Sequence, residues 1–408
     1  VEKVQSERHD VAIIGAGIVG SSLAMALGER GLKTVVVDID LSGRLSSSER
    51  NAGGVRATWW QPVNIVLCRA SIEYYEKIAV EVGFRQKGYL WLYDAQTWDR
   101  AVSHLDLQRQ LGHQIEQLTA RDVASRVPEI DQLEGIVGAT FSPRDGLINP
   151  NLLKQHYRAR SQELGALYVD RVFIHAINPE SDEVRITCWQ ADENLPEEGL
   201  MRLMARDERE AEPETGLLFE LRADALVICA GAWSPNLIKL LGVENLTEAV
   251  RRQICLVDNR ETNLAAYGMI VDTSGVYFHN DGPHILAGYS PPGDPPGYSF
   301  KYDGEDFFLK EIWPRLYARM SRFERLHHVT GWAGLYEVSP DRSAIIGRLG
   351  ARLYEAHSFS GRGVMQSWGA GQALAELIAT GRYESLDASA LGRERFKTGN
   401  LMPEELHI

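Results

Sequence analysis

The chain has 408 residues, 43 Lys and Arg against 56 Asp and Glu, and a net charge of −13; that length allows one large or two moderate domains around a sizeable core. With no run of Lys or Arg, the acidic balance argues against a nucleic-acid protein or one that works at membranes through basic patches, so a small anionic substrate would need local positive charge. Cys68, Cys188, Cys229 and Cys255 are scattered, with no C-x-x-C and no paired Cys/His spacing, which predicts no metal site and a reduced, cytoplasmic setting.

The first ten residues are polar and charged and read as neither a signal nor a transit peptide. The apolar run from Val11 to Leu27 is interrupted by Gly15, Gly17 and Gly20 and falls short of the roughly 20 residues a membrane span needs. It reads instead as a βαβ unit: a strand over Asp10–Ile14, a glycine turn, a helix with small and apolar positions at Leu23, Ala24 and Leu27 that stops at Gly31, and a buried strand over Thr34–Val37. Strand, helix and strand in that order imply a parallel pair.

A Ser/Gly/Arg-rich loop follows over Leu41–Arg56, then a helix from about Pro62 to Val82 and a strand of an antiparallel sheet over Gly88–Tyr93. A helical pattern covers Asn151–Gly165 and an extended one Ala166–Ile177. Residues 192–214 carry nine acidic and three basic side chains with little apolar clustering; they read as a solvated hairpin insertion, or as a partner-docking loop. Ala225–Cys229 is an apolar strand running into Ala230-Gly-Ala-Trp233. A second antiparallel region spans roughly Val250–Tyr289, with a Pro/Gly turn at Pro291–Gly297. The last unit is a strand near Tyr354, a glycine turn at Gly361 and Gly363, and a helix over Ala370–Thr380. No internal repeat is present.

Gly15-x-Gly17-x-x-Gly20 after a strand and at the start of a helix, with Asp38 eighteen residues on, predicts dinucleotide binding. Gly15 permits the tight turn, Gly17 lets a diphosphate approach the amides of Ile18 and Val19 at the helix N-terminus, and Gly20 allows close packing of helix on strand. Asp38 is placed to accept hydrogen bonds from a ribose. NAD and FAD share this fingerprint. The Ser-Gly-Arg-Gly turn at 360–363 opening a helix is a second cradle of backbone amides, suited to an anion or to the electron-rich edge of a reduced flavin; its bland alternative is a helix cap with a surface arginine. His175, His327-His328 and His357 show no metal-ligand spacing, and no G-x-S-x-G elbow supplies a hydrolase nucleophile.

Five segments, the N-terminal fingerprint, Asp145–Pro150, Ala225–Ser234, Gly334–Asp341 and Ser358–Gly363, resemble the signature segments of the D-amino-acid oxidase superfamily, in the family's order and across nearly the whole chain. That resemblance implies FAD rather than NAD, and a relationship to sarcosine oxidase, glycine oxidase and D-amino-acid dehydrogenases. Val271–Phe278, Asp306–Phe308, Trp313-Pro314 and Trp332–Gly334 are most similar to the branch of the mitochondrial FAD-dependent oxidoreductase-domain protein linked to complex I assembly. In the family, the turn with Gly361, Arg362, Gly363, Val364 and Met365 faces the flavin ring, and Arg362 stands where relatives often have His. Gly53, Gly54, Val55 and Arg56 match a loop whose arginine lies beside the flavin; the alternative for Arg56 is a solvated loop residue. Ala230, Gly231 and Trp233 match a strand end that meets the cofactor.

The sequence also departs from these relatives. The arginine that pairs with the substrate carboxylate in glycine and D-amino-acid oxidases is Tyr336 here. Sarcosine oxidase has tyrosine there and clamps carboxylate with an arginine and a lysine, whose positions fall on Trp59 and Met365. Arg56, Arg362 and His279 could form a different clamp. The cysteine that tethers flavin in monomeric sarcosine oxidase falls on Gly334, and the lysine that promotes oxygen reduction falls near Leu286, which leaves a dehydrogenase at least as open as an oxidase. Tyr277 and Tyr289 line the substrate side or belong to the core.

The combined expectation is an α/β flavoprotein with a Rossmann-type FAD-binding domain over 1–83, 146–244 and 327–395. An α+β substrate domain with an antiparallel sheet covers 84–145 and 245–326, and 396–408 is a C-terminal tail. It oxidises the C–N bond of a small amine or amino acid by hydride transfer to flavin N5, with Tyr336, Arg362, Tyr277 and His279 on the reacting side, and the imine then hydrolyses. The alternatives are a dehydrogenase or β-type catalytic subunit that passes electrons to a quinone, a carrier protein or a partner subunit in place of oxygen, and a flavin-containing assembly factor with little catalysis.

Overall fold

The computed structural model describes residues 2–192, 195–196, 199, 216–258 and 262–406; the acidic insertion at 192–214 lies almost wholly outside them. The chain divides into two compact units, one of Val1–Glu49, Pro150–Ala249 and Tyr336–Pro403, the other of Arg50–Asn149, Val250–Leu335 and Glu404–Ile408. Residues 50–83 and 327–335, expected with the first domain, fall in the second unit, and so does the end of the expected tail. The reason is visible in their partners: Gly54 and Val55 pair with Leu147 and Gly146, Arg69 donates to the carbonyl of Leu111, and Glu404 accepts from the start of the helix Pro62–Lys77.

The first unit is built on an eight-stranded sheet. The strand Arg8–Ile14 sits between Leu217–Ile228 and Thr34–Val37, parallel to both. Leu353–His357 and Leu167–Val169 extend the parallel stretch on either side, and Val172–Pro179 and Val184–Gln190 add an antiparallel hairpin to Leu217–Ile228. Strand order therefore reverses about Arg8–Ile14, and a topological switch of this kind opens a crevice at the carboxyl ends of the strands. The helix Ile18–Glu29 is buried from Ile18 to Gly28, because other helices cover it. At Gly371 of the helix Gly363–Thr380, a Cβ would lie 2.6 Å from the Ser22 hydroxyl, and a Cβ at Gly28 would lie 2.8 Å from Leu164. Small residues thus set how closely these helices cross. The C-terminal helix begins at Gly363 rather than near Ala370, so the glycine turn leads directly into its first turn.

The second unit carries another eight-stranded sheet, in the order His328–Val338, Glu248–Asp258, His284–Tyr289, Tyr277–Asp281, Met269–Val271, Tyr89–Tyr93, Gly138–Ser142, Glu116–Leu118. The expected antiparallel pattern has one exception: Met269–Val271 runs parallel to Tyr89–Tyr93. One face packs a core that includes Leu92, Cys255, Phe278, Ile285 and Phe323. The other carries an aromatic cluster of Trp60, Tyr89, Trp91, Tyr93 and Tyr277 with Leu286 and Leu406. The long helix expected over 62–82 is two, Pro62–Lys77 and Ala79–Val82, separated at Ile78. Among the described residues, no helix is long and apolar enough to cross a membrane.

Candidate active site

In the first unit, three turns at strand ends assemble a cradle. The first is the glycine turn. Gly15 has φ +108°, and a Cβ there would lie 2.3 Å from the carbonyl oxygen of Cys229; a Cβ on Gly20 would lie 1.9 Å from the oxygen of Gly15. Neither position admits a side chain. Gly17 is different: its Cβ would meet only the Ser48 hydroxyl, at 3.5 Å, so the absent side chain leaves open space before the helix. The Ile18 amide donates to that hydroxyl at 3.0 Å. Asp38 accepts from the amide of Ala16 at 2.5 Å and from that of Asp40 at 2.9 Å. The acid predicted to serve a ribose thus also braces the turn, and burial pushes its carboxyl up. Buried Lys154, ion-paired with Glu49, faces it electrostatically.

The second turn is Ala230–Trp233. Gly231 takes φ +54°, and the amide of Cys229 donates to Ile14 at 2.8 Å, which ties this strand end to the first turn. The third is Ser358–Gly363. Ser358, Ser360 and Gly361 have φ of +61°, +50° and +88°, a rare density of left-handed backbone that other contacts must hold. The Phe359 amide donates to the Glu337 carboxyl at 3.1 Å and the Ser360 amide to the Glu337 carbonyl at 3.0 Å. Behind the turn, Arg393 donates to both oxygens of Glu355 at 2.7 and 2.9 Å, His357 Nε2 lies 3.0 Å from Glu355, and its Nδ1 lies 2.9 Å from the Ser358 hydroxyl. Burial works against the charge on Glu355, but the bonds from Arg393 and His357 hold its carboxyl down at about 2.

The third turn also places the predicted residues. Tyr336 packs against Gly361, whose Cβ would lie 2.6 Å from its ring. Arg362 is 1% exposed, so the surface-cap alternative does not describe it. Ile18 lies 3.9 Å from where a Cβ on Gly363 would sit, so the helices Ile18–Glu29 and Gly363–Thr380 start side by side. Their N-termini concentrate positive potential in one place, and Arg362 is the residue that precedes the second of them. Val364 and Met365 are buried in the first turn of the second helix. This set fits a dinucleotide with a diphosphate and an electron-rich ring: open space at Gly17, adjacent helix N-termini, and a shielded carboxyl oxygen of Glu337 with no hydrogen-bond partner among the described residues.

The second unit holds the remaining candidates. Arg56 is 1% exposed, not solvated. Its guanidinium lies 3.5 Å from the ring centre of Trp59 and 4.5 Å from that of Trp91, and donates to the carbonyls of Thr58 at 2.6 Å and Leu406 at 2.7 Å. Gly53 takes φ +75°, and Gly54 is pressed against Tyr89. His279 is buried with Nδ1 2.9 Å from the carbonyl oxygen of Asn280 and Nε2 3.0 Å from that of Ala52; burial pushes its pKa down, so the neutral ring donates to one of these carbonyls at a time. Tyr277 packs against Gly288, and Arg315 lies 3.9 Å from the ring centre of Tyr289. At Gly334 a Cβ would lie 3.2 Å from that of Arg50.

Beside Arg56 lies a buried polar knot around Asp145, whose segment the sequence marked only as a family match and not for these contacts. Asp145, fully buried, accepts from the amide of Ala57 at 3.0 Å and the hydroxyl of Thr58 at 3.1 Å. The Thr58 hydroxyl is also 3.0 Å from His113 Nε2 and 2.7 Å from the Ser142 hydroxyl. Burial pushes Asp145 up to about 7, against the pull of these bonds and of Arg56, and it pushes His113 down to about 3, so the imidazole is neutral. Glu404, 1% exposed, accepts from the amides of Trp60 and Gln61 and from Asn64. Asp145-Gly reads locally as a turn, and nothing near Glu404 in sequence marks it as a helix cap; only their distant partners do.

A family model described as "DAO: FAD dependent oxidoreductase" matches residues 10–377. The FAD-dependent oxidoreductase domain-containing protein 1 of Xenopus laevis is 26% identical over 423 residues, covering 96% of this chain and 83% of its own length. The glycine oxidase of Bacillus licheniformis is 24% identical over 381 residues, covering 91% and 93%. Among solved structures, L-proline dehydrogenase from P. horikoshii superposes with a TM-score of 0.82 at 21% identity, covering 97% of this chain and all of that one, a likeness of fold.

Proposed function

The chain belongs to the family of FAD dependent oxidoreductases, and from that premise we propose that it oxidises the C–N bond of a small amine or amino acid, giving an imine that hydrolyses to a carbonyl compound. FAD is its cofactor and, when bound, supplies the two-electron acceptor for that oxidation. The residues that would hold it are Gly15, Gly17, Ile18, Val19, Gly20 and Asp38 at the first turn, Ala230, Gly231 and Trp233 at the second, and Gly361 to Met365 at the third. The observation that carries the reading is the buried Arg362 at the start of the helix Gly363–Thr380: a fixed cation beside a helix N-terminus stabilises negative charge that develops during the reaction, without reorganisation. Tyr336, resting on Gly361, supplies an aromatic wall that orients substrate and excludes water. The amine class is supported by relatives whose names are glycine oxidase and L-proline dehydrogenase.

A small substrate must lose its ammonium proton before the C–N bond is oxidised, so reactivity follows the neutral amine. A non-oxygen acceptor, a quinone or a carrier protein, is the version of the reading that Leu286 favours. That side chain is buried among Tyr277, Trp60 and Trp91, and a cation at this position is what electrostatic promotion of oxygen reduction would use. The test is product analysis. The holoprotein is incubated with sarcosine, glycine, proline and D- and L-amino acids plus an artificial electron acceptor, and carbonyl products are trapped as hydrazones. One carbonyl per two electrons from one substrate class supports the proposal; acceptor reduction with no carbonyl from any amine contradicts it.

A further inference from the structure

Glu337 is an acid in the middle of the first unit's cradle that the oxidation described above does not use. It lies one residue before the end of the strand His328–Val338 and against the third turn, where one carboxyl oxygen, Oε1, accepts from the amide of Phe359 at 3.1 Å. The other, Oε2, is sealed from solvent and has no hydrogen-bond partner among the described residues. It points at the second turn, 3.4 Å from where a Cβ of Gly231 would be. Gly231 in turn follows Cys229, whose carbonyl presses against Gly15 of the first turn. The unbonded oxygen therefore lies beside the Ala230–Trp233 turn that follows the strand Leu217–Ile228, while the other oxygen of the same carboxyl holds the Ser358–Gly363 turn.

A shielded carboxyl oxygen with no partner costs free energy unless a ligand supplies one. Diphosphate is the wrong partner, since two anions in a water-poor site repel. A hydroxyl is the right one, because it donates to a carboxylate and accepts from a carboxylic acid. FAD has two hydroxyl-bearing parts, the adenosine ribose and the ribityl chain, and Asp38 is already positioned for the ribose at the end of the neighbouring strand. We propose that Glu337 is a cofactor-binding residue whose Oε2 hydrogen-bonds a ribityl hydroxyl of FAD. Burial pushes the Glu337 carboxyl up, while His357 and the amides of Phe359 and Ser358 pull it down and Cys229 lies close enough for its thiol to feel the charge; a hydroxyl partner accommodates either protonation state. The inference rests on FAD binding and not on the identity of the amine.

The experiment measures cofactor release from the holoprotein by recovery of flavin fluorescence after dilution. Wild type, Glu337→Gln and Glu337→Ala are each loaded with FAD or with an analogue whose ribityl chain is replaced by an alkyl chain. Glu337→Ala is expected to release FAD about 10-fold faster than wild type, to release the analogue at the wild-type rate for the analogue, and Glu337→Gln to stay within about 3-fold for FAD. If Glu337→Ala does not give folded holoprotein, Glu337→Val, which fills more of the space, provides the same comparison. Equal acceleration for both cofactors would show that Glu337 only supports the turn, and unchanged release of FAD would remove it from the site; either result overturns the proposal.

Discussion

Replacing Asp145 by Asn should make the second unit progressively more stable, relative to wild type, as pH rises from 5 to 8. Asp145 has no exposure and its carboxyl is pushed up to about 7 by burial, against an ordinary value of 3.8 in the unfolded chain. Between those two values the folded protein holds a proton that the unfolded chain has lost. Wild type therefore loses stability with rising pH through this window, and the loss is complete once pH passes the folded value. At about 1.4 kcal/mol per pH unit, the wild-type loss between pH 5 and pH 8 amounts to about 3 kcal/mol. Asn carries no proton to lose. It keeps an oxygen for the Ala57 amide, and its NH2 can donate to the hydroxyls of Thr58 and Ser142, which rotate to accept. Urea denaturation followed by tryptophan fluorescence, with Trp59 and Trp91 close to the knot, gives the difference at each pH. A difference between variant and wild type that stays constant from pH 5 to 8, or that shrinks as pH rises, would refute the assignment of a raised, desolvated carboxyl.

Gly17→Ala should leave folding and melting temperature unchanged, because its Cβ meets only the Ser48 hydroxyl at 3.5 Å, yet lower FAD affinity by about 10-fold or more in a flavin fluorescence titration; retention of wild-type affinity would mean the diphosphate does not approach there. Gly20→Ala, whose Cβ would lie 1.9 Å from the Gly15 oxygen, should fail to hold flavin at all, read as the absence of visible absorbance in the purified protein. Glu404→Ala strips the acceptor from three donors, two of them buried, and should destabilise by about 3 kcal/mol in the same urea assay, with less than about 1 kcal/mol counting against its role as a helix cap. Turnover of an amine should rise with pH as the bound ammonium loses its proton, and a rate that is flat from pH 6 to 10 would contradict reaction of the neutral amine.

The cofactor cradle was legible in the sequence because its parts are local. Gly15, Gly17 and Gly20 lie within six residues, Asp38 ends the next strand, and glycine at these positions follows from backbone conformation and close approach. The Ser358–Gly363 turn was legible for the same reason. What escaped depends on partners remote in the chain. Asp145 meets Ala57 and Thr58, 88 and 87 residues away, and Arg56 meets Leu406 at a separation of 350. No periodicity in the sequence shows that a loop arginine will be stacked between two tryptophans. In the sequence His279 reads with Arg56 and Arg362 as a candidate clamp for a substrate carboxylate; that its ring lies between the backbone carbonyls of Asn280 and Ala52 is set by a contact 227 residues away. The expected boundary of the first domain at residue 83 differs from the unit boundary after Glu49 for a related reason: the ladder at Gly54 and the cap at Glu404 that tie residues 50–83 to the second unit are tertiary.

The central claim, oxidation of an amine C–N bond, is tested most directly by recording the visible spectrum of the purified holoprotein without oxygen during titration with sarcosine, glycine, proline and D- and L-amino acids, then admitting air. The account predicts bleaching of the flavin band by one of these classes and slow recolouring in air, as a buried Leu286 in place of a cation implies. A flavin that no amine bleaches, while a chemical reductant does, would contradict it.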